Sequence, residues 1–210
     1  VSDKKIGRPG RPRSFDMETA LIVGERLFHE RGFDGVSLSD LTCALSIAAP
    51  SFYAAFGSKA DFFQQILNRY AASALSIDEL MVEKDPMAVA IEKFLIARAV
   101  SYSEDNVAKG CLVLDATRNC SDADAANTAR RLAEGGRVRV RELVAIARPD
   151  VAEPVSDLVA SVMHGLSAYA RQGWSTERLV SVAKSAALAV RVIAERSDLL
   201  EEFATIWTSA

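Results

Sequence analysis

The sequence predicts an all-α fold in two parts, a small N-terminal unit and a larger C-terminal one, and three observations carry that prediction. Apolar residues recur at i, i+3 and i+4 in each segment that glycine or proline does not break. Ser and Asp stand at the starts of these runs, where a short polar side chain can cap the free amides of a first turn. No segment shows the strict apolar–polar alternation of a half-buried strand. Half of the 210 residues are hydrophobic and 7% are aromatic, which suits a sizeable helical core rich in Ala, Leu and Val.

The elements follow in order. Asp16 caps a helix through Arg31 that Gly32 ends. Ser37 and Asp40 have capping-box spacing, and Leu38, Leu41, Ala44 and Leu45 follow as a helix of about two turns. Ser46-Ile47-Ala48 interrupts the pattern. Pro50 suits the first turn of a new helix, short and aromatic through Phe52, Tyr53 and Phe56. Gly57 breaks it, and Ser58 with Asp61 repeats the capping box before a run expected to span 59 to about 82. Asp85-Pro86 opens a helix to about Glu104, and Asn106 to Gly110 is a loop. Cys111 to Arg118 is a short helix, and Ser121 with Asp124 caps another that reaches Ala147 and stops at Arg148-Pro149. Helices at about 153–172 and 176–196 are parted by Gly173-Trp174-Ser175, and a last one at about 198–208 closes the chain.

Two short helices joined by a tight turn, with a third starting at once, form the arrangement that presents a helix to the major groove of DNA. At Leu41, Ala44, Ile47, Ser51, Tyr53, Phe56, Gly57, Ser58 and Lys59, and at Ala20, Leu27, Phe28, Gly32 and Phe33 before them, the chain resembles the TetR family of bacterial transcriptional regulators. The resemblance spans roughly residues 15 to 70. It implies DNA contacts from Ser37, Ala48, Ala49, Ser51, Tyr53 and Lys59. Lys59 lies in a first turn, where an ammonium and free amides can together hold a phosphate. Two departures stand out. Ser46 replaces the usual turn glycine, so a slightly re-angled turn is expected. Ala48, Ala49, Ala54 and Ala55 leave the recognition helix without Lys or Arg, so bidentate guanine contacts cannot come from it.

Specificity must then come partly from the N-terminus. Lys4, Lys5, Arg8, Arg11 and Arg13 against Asp3 leave the first fifteen residues at +4, whereas the whole chain carries 25 basic and 28 acidic residues and stands at −3. Prolines alternating with arginines keep this segment extended, narrow enough for Arg8, Arg11 and Arg13 to enter an A·T-rich minor groove. On composition alone it also reads as a solvated tail. The expected organisation is a basic arm at 1–14, a helix-turn-helix domain at 15–58, and a regulatory and dimerisation domain at 59–210.

In the second part the resemblance implies a helix pair that meets its twin in a dimer. The stripes assigned to it are Val155, Leu158, Val159, Val162, Leu166 and Tyr169, then Leu179, Val182, Ala186, Val190 and Ile193. Periodicity alone favours burial of these stripes within one chain, and the need of a palindrome reader for two heads is what turns the assignment to a dimer. An effector pocket is expected between the preceding helices, at Phe63, Ile66, Leu67, Tyr70, Phe94, Tyr102, Cys111, Leu112 and Cys120, with Ala97, Leu114 and Leu132 beside them. Gly110-Cys111-Leu112 resembles a segment of family members that sense electrophiles and oxidants through this cysteine. Arg171 stands where some of them carry a lysine, and it cannot form the same covalent partner. Cys111 and Cys120 also read as small buried hydrophobes.

Composition excludes several classes. No run of about 18 apolar residues exists and no apolar segment follows the basic start, so neither a span nor a secretory signal is expected, and the cytoplasm is the expected location. Three cysteines without a C-x-x-C pair argue against a disulfide scaffold or a zinc site, and no metal or cofactor is expected. A thiol enzyme at Cys111 lacks an evident base, since His29 lies in the helix-turn-helix region and His164 has no visible acidic partner. The expectation is a homodimeric repressor, released from a palindromic operator by a small-molecule or electrophile effector. An architectural A·T-rich binder without effector is the alternative.

Overall fold

A computed structural model describes residues 16–74, 77–78 and 86–196 of the chain. The basic arm, with Arg8, Arg11 and Arg13, and the expected helix at 198–208 lie outside the described residues. Among the described residues the regular structure is helical: α1 (Met17–Arg31), α2 (Leu38–Leu45), α3 (Ala49–Phe56), α4 (Lys59–Ser73), α5 (Met87–Glu104), α6 (Leu112–Ala116), α7 (Ala123–Ala147), α8 (Ala152–Arg171) and α9 (Thr176–Glu195). A 3-10 turn at Pro149–Val151 leads into α8.

Local chemistry places most of the helix starts. Asp16 accepts from the amides of Glu18 and Thr19. Ser37–Asp40 and Ser58–Asp61 each close a full capping box, satisfying amides that the first turn leaves free. At α7 the cap is Asp122, which accepts from the Ala125 amide, rather than Ser121. Ser121 is drawn away because its hydroxyl and amide both donate to Asp34 in the turn after α1. The helix expected to run to about 82 ends at Ser73, where the serine hydroxyl turns back onto the Tyr70 carbonyl and Ala74 is extended.

The N-terminal head is held by aromatic side chains. Phe28, Phe33, Phe52, Phe56, Phe62 and Phe63 are buried and tilt against one another, with Phe28–Phe63 centroids 4.6 Å and Phe56–Phe62 centroids 4.3 Å apart. Gly24 lets α1 cross α4 closely, since a Cβ there would lie 2.5 Å from the Phe62 ring. In the body α9 lies along α5, while α8 packs on α5, α7 and α9. The head meets the body where α4 packs on α7 and where the end of α1 touches the Gly110 turn.

Ser46 occupies the left-handed region itself, with φ 54° and ψ 41°. Its amide donates to Cys43 O, so the turn keeps a left-handed C-cap without glycine. A side chain in this conformation is strained by roughly 1–2 kcal/mol. Ser46→Gly is therefore expected to stabilise the chain by about 1 kcal/mol, read as a higher urea midpoint at unchanged slope.

Candidate nucleic-acid interface and core cavity

The head exposes one face of α3. Phe52 and Phe56 turn inward, whereas Ala48, Ser51, Tyr53, Ala54 and Ala55 are exposed and Ala49 is half-buried. Tyr53 is the large group on that face, 54% exposed and packed by its edge on Phe52 with centroids 6.2 Å apart. No side chain caps the α3 N-terminus, but Pro50 has no amide and the Ser51 amide donates to Ala48 O at 2.9 Å, so in the first turn only the Ala49 amide is left without a backbone acceptor. Ser37 is exposed but its hydroxyl is engaged with Asp40. Lys59 is only half-exposed. Its ammonium donates to the carbonyls of Phe33 at 3.0 Å and Val36 at 2.9 Å and lies 4.0 Å from the Phe33 ring centre. That geometry ties α4 to the α1–α2 turn, and it commits donors that the sequence reading gives to a phosphate.

The body contains a cavity of about 190 Å³ between α4, α5, α6, α7 and α8. It brings together Tyr70, Phe94, Tyr102 and Cys111 from the expected set, with Leu114 and Leu132. The other expected residues lie elsewhere. Phe63 belongs to the aromatic cluster of the head, and Ile66, Leu67 and Leu112 are core side chains that do not reach the cavity. Cys120 is half-buried near the head–body seam, its thiol donating to Asp122 O at 3.6 Å and raised in pKa chiefly by burial. Several cavity groups were not anticipated: Arg98, Gly136, Arg137, Val159, Met163 and His164. Arg98 had a readable signal, because it continues the Phe94–Arg98–Tyr102 stripe at i, i+4 spacing and so places a cation on the inward face of α5. The Arg98 guanidinium stands 5.3 Å from the Phe94 ring centre. Arg137 is engaged by Glu134, Glu153 and Asp157 and clamps α7 to α8.

Cys111 is 8% exposed and is the N-cap of α6. Its amide donates to Ser167 Oγ at 2.9 Å, and its thiol faces the hydroxyls of Tyr70 and Tyr102. Burial, and then the neighbouring thiol, push both phenols well above their ordinary range. The preceding Gly110 has φ 77°, and a Cβ there would lie 2.8 Å from Ser167 O. His29, at the end of α1, donates through Nε2 to Gly110 O at 3.2 Å. Arg171 donates to His29 O at 3.1 Å and stands 3.4 Å from the buried Asp115 carboxylate.

The stripes expected at a dimer interface divide on burial. Val155, Val159, Leu166, Leu179, Ala186 and Val190 are buried inside the single chain, so these residues belong to its own core, and Val159 lines the cavity. Leu158, Val162 and Ile193 are half-buried, and Tyr169 and Val182 are exposed. The outer faces of the same two helices run through Leu158, Val162, Gly165 and Tyr169 and through Val182, Ser185, Ala189 and Val192. Tyr169 stacks on Trp174 at 3.9 Å, and the Arg178 guanidinium covers that indole at 3.3 Å.

The family model described as bacterial regulatory proteins, tetR family, matches residues 21–66. The HTH-type transcriptional repressor BdcR of Escherichia coli (strain K12) is 36% identical over 196 residues, covering 93% of this chain and 99% of that protein. The HTH-type transcriptional repressor ComR of the same organism is 27% identical over 188 residues, covering 83% and 88%. Among solved structures, a cysteine mutant of the TetR family regulator CifR, complexed with 26 bp double-strand operator DNA, is 30% identical. It covers 85% of this chain and 99% of its own, with a TM-score of 0.68.

Burial lowers the pKa of both histidines below the ordinary 6.5, aided at His29 by Arg171 and at His164 by Arg118. The unfolded chain then takes up protons near pH 6.5 that the folded chain refuses, so this stability is present above that pH and lost as pH falls through it. Melting temperature should decline between about pH 7.5 and 5, and His29→Gln with His164→Gln should flatten that decline. A slope unchanged in the double variant would refute this.

Proposed function

The chain belongs to the TetR family of bacterial regulatory proteins, and on that premise we propose that it is a homodimeric repressor released from a palindromic operator when a small molecule enters the cavity at Cys111. It is a DNA-binding transcriptional regulator, and its relatives act as repressors rather than as enzymes. The observation that carries the reading is the direct joining of head to cavity: Gly110 bonds to His29 of the head, and Cys111, the next residue, lines the cavity.

On the DNA side, Tyr53 and Ser51 offer hydroxyls, Ala48 and Ala49 offer methyls for thymine, and the α3 N-terminus offers the Ala49 amide to phosphate. With Lys59 held by two carbonyls, phosphate positioning falls to the hydroxyls of Tyr53 and Ser51, while Arg8, Arg11 and Arg13 supply the cationic contacts. The similarity to a regulator bound to operator DNA supports this docking. One head covers too little DNA for specific binding, whereas two related by a two-fold axis read half-sites one helical turn apart. The outer faces of α8 and α9 supply that axis, because Gly165, Ser161, Ser185 and Ala189 keep them smooth between Val162, Tyr169, Val182 and Val192.

Selection from fragmented genomic DNA of the source organism should recover one short palindrome. Diffuse A·T-rich recovery that vanishes without residues 1–14 would favour the architectural alternative. Tyr53→Ala should weaken operator binding by about tenfold, equivalent to roughly 1.4 kcal/mol. Deleting residues 1–14 should lower the slope of log K against log salt by about five, as expected for the phosphate-neutralising arginines that the two arms of a dimer bring to one operator. Gly165→Glu should turn dimers into monomers in sedimentation and abolish operator binding, and a dimer that survives it would overturn the assigned face.

A further inference from the structure

A second hollow lies on the other side of the cavity wall. It is a crevice of about 640 Å³ between α1 of the head and the end of α5, bordered by Glu25, Arg26, His29, Asp105 and Gly110. Tyr70 borders both spaces. On the cavity side its hydroxyl faces the Cys111 thiol, which lines the same space. On the crevice side its ring stands perpendicular to the His29 imidazole, with centroids 5.6 Å apart. His29 bonds to Gly110 O at 3.2 Å, and Gly110 is joined to Cys111, so the four residues form a closed ring of contacts. Tyr102 also faces the thiol, but it is buried within α5 and borders the cavity alone.

We propose that Tyr70 is the positioning residue through which occupancy of the cavity reaches the DNA-binding head. The proposal rests on the repressor reading above and gives it a physical route. A group placed at Cys111 competes for the space of the Tyr70 hydroxyl, and the ring cannot shift without changing its contact with His29. The opposite end of α4 is pinned by Lys59 to the carbonyls of Phe33 and Val36, so the helix delivers the displacement to the head instead of swinging free. The last turn of α1 loses its lateral support, and the population shifts toward heads that no longer match the operator.

The test uses the full chain with Cys43→Ser and Cys120→Ser, so that N-ethylmaleimide reaches a single thiol. Sulfur adds to one alkene carbon, the C=C π bond is spent in forming the C–S bond, and the thiol proton ends on the neighbouring carbon. No oxidant or leaving group takes part. Hydrogen exchange of the amides at 26–31 is compared before and after alkylation, with labelling of Cys111 confirmed by intact mass. In the parent, alkylation should speed exchange at the end of α1 by about tenfold. In Tyr70→Phe, which keeps the ring against His29 but loses the hydroxyl, the change should fall below about threefold. Tyr70→Leu should uncouple in the same way, while Tyr102→Phe should respond like the parent. A full response in Tyr70→Phe would overturn the proposal, as would equal loss in Tyr70→Phe and Tyr102→Phe, an unresponsive parent, or a Cys111 that the reagent does not reach. Exchange needs no operator. A chain that selects no palindrome yet shows Tyr70-dependent exchange would sink the repressor reading and leave the coupling standing.

Discussion

The backbone at Gly110 lies so close to Ser167 of α8 that no side chain fits between them, and a left-handed φ of 77° is what lets the chain make that approach. Three consequences follow from this contact. The Cys111 amide reaches Ser167 Oγ, which fixes the start of α6 in a helix too short to hold itself. The Gly110 carbonyl turns toward α1 and receives the His29 proton. The thiol is carried into the cavity, between two phenols. Arg171, one turn further along α8, completes the seam by donating to the carbonyl of His29 while standing beside Asp115. A half-buried guanidinium and a buried carboxylate are costly to desolvate, so the Arg171–Asp115 pair is better understood as setting the register of three elements than as adding stability.

The two parts of the molecule are built from different materials. The head is small and relies on phenylalanine, whose large area and tilted contacts give three short helices a defined core. The body is longer and relies on Ala, Val and Leu, and small side chains let α5, α8 and α9 approach closely. Besides the packing of α4 on α7, polar links join the parts: Asp34 with Ser121, Arg26 with Asp105 at 3.7 Å, Arg171 with His29 O, and His29 with Gly110. Exposed ion pairs such as Arg26–Asp105 contribute little, so the orientation of head on body rests on the α4–α7 packing and on the seam at Gly110.

What could be read from the sequence was local. A capping box is a relation across three residues, and both Ser37–Asp40 and Ser58–Asp61 form as their spacing implies. The short aromatic helix expected after Pro50 is likewise a matter of one or two turns, and it forms at Ala49–Phe56. Periodicity marks an apolar face without saying what covers it. The family resemblance assigned Val155, Leu166, Leu179 and Val190 to a partner chain, while the fold buries them within this one. Part of the expected pocket lies elsewhere for the same reason, since Ile66, Leu67 and Leu112 are inward but not at the void. Ser121 misled as a cap because its true acceptor, Asp34, lies 87 residues away.

Gly136 borders the cavity in the middle of α7, and no atom lies within 4 Å of where its Cβ would be. A glycine inside a helix costs roughly 0.5–1 kcal/mol relative to alanine, so adding a side chain there meets neither a steric nor a conformational barrier. The bore of the cavity is thus adjustable by single-codon steps that leave the seam, the head and the helix pairing untouched. In evolutionary terms the ligand specificity of such a chain can drift on a faster clock than its operator. Paralogues that share one DNA address could then diverge in the molecules they answer to.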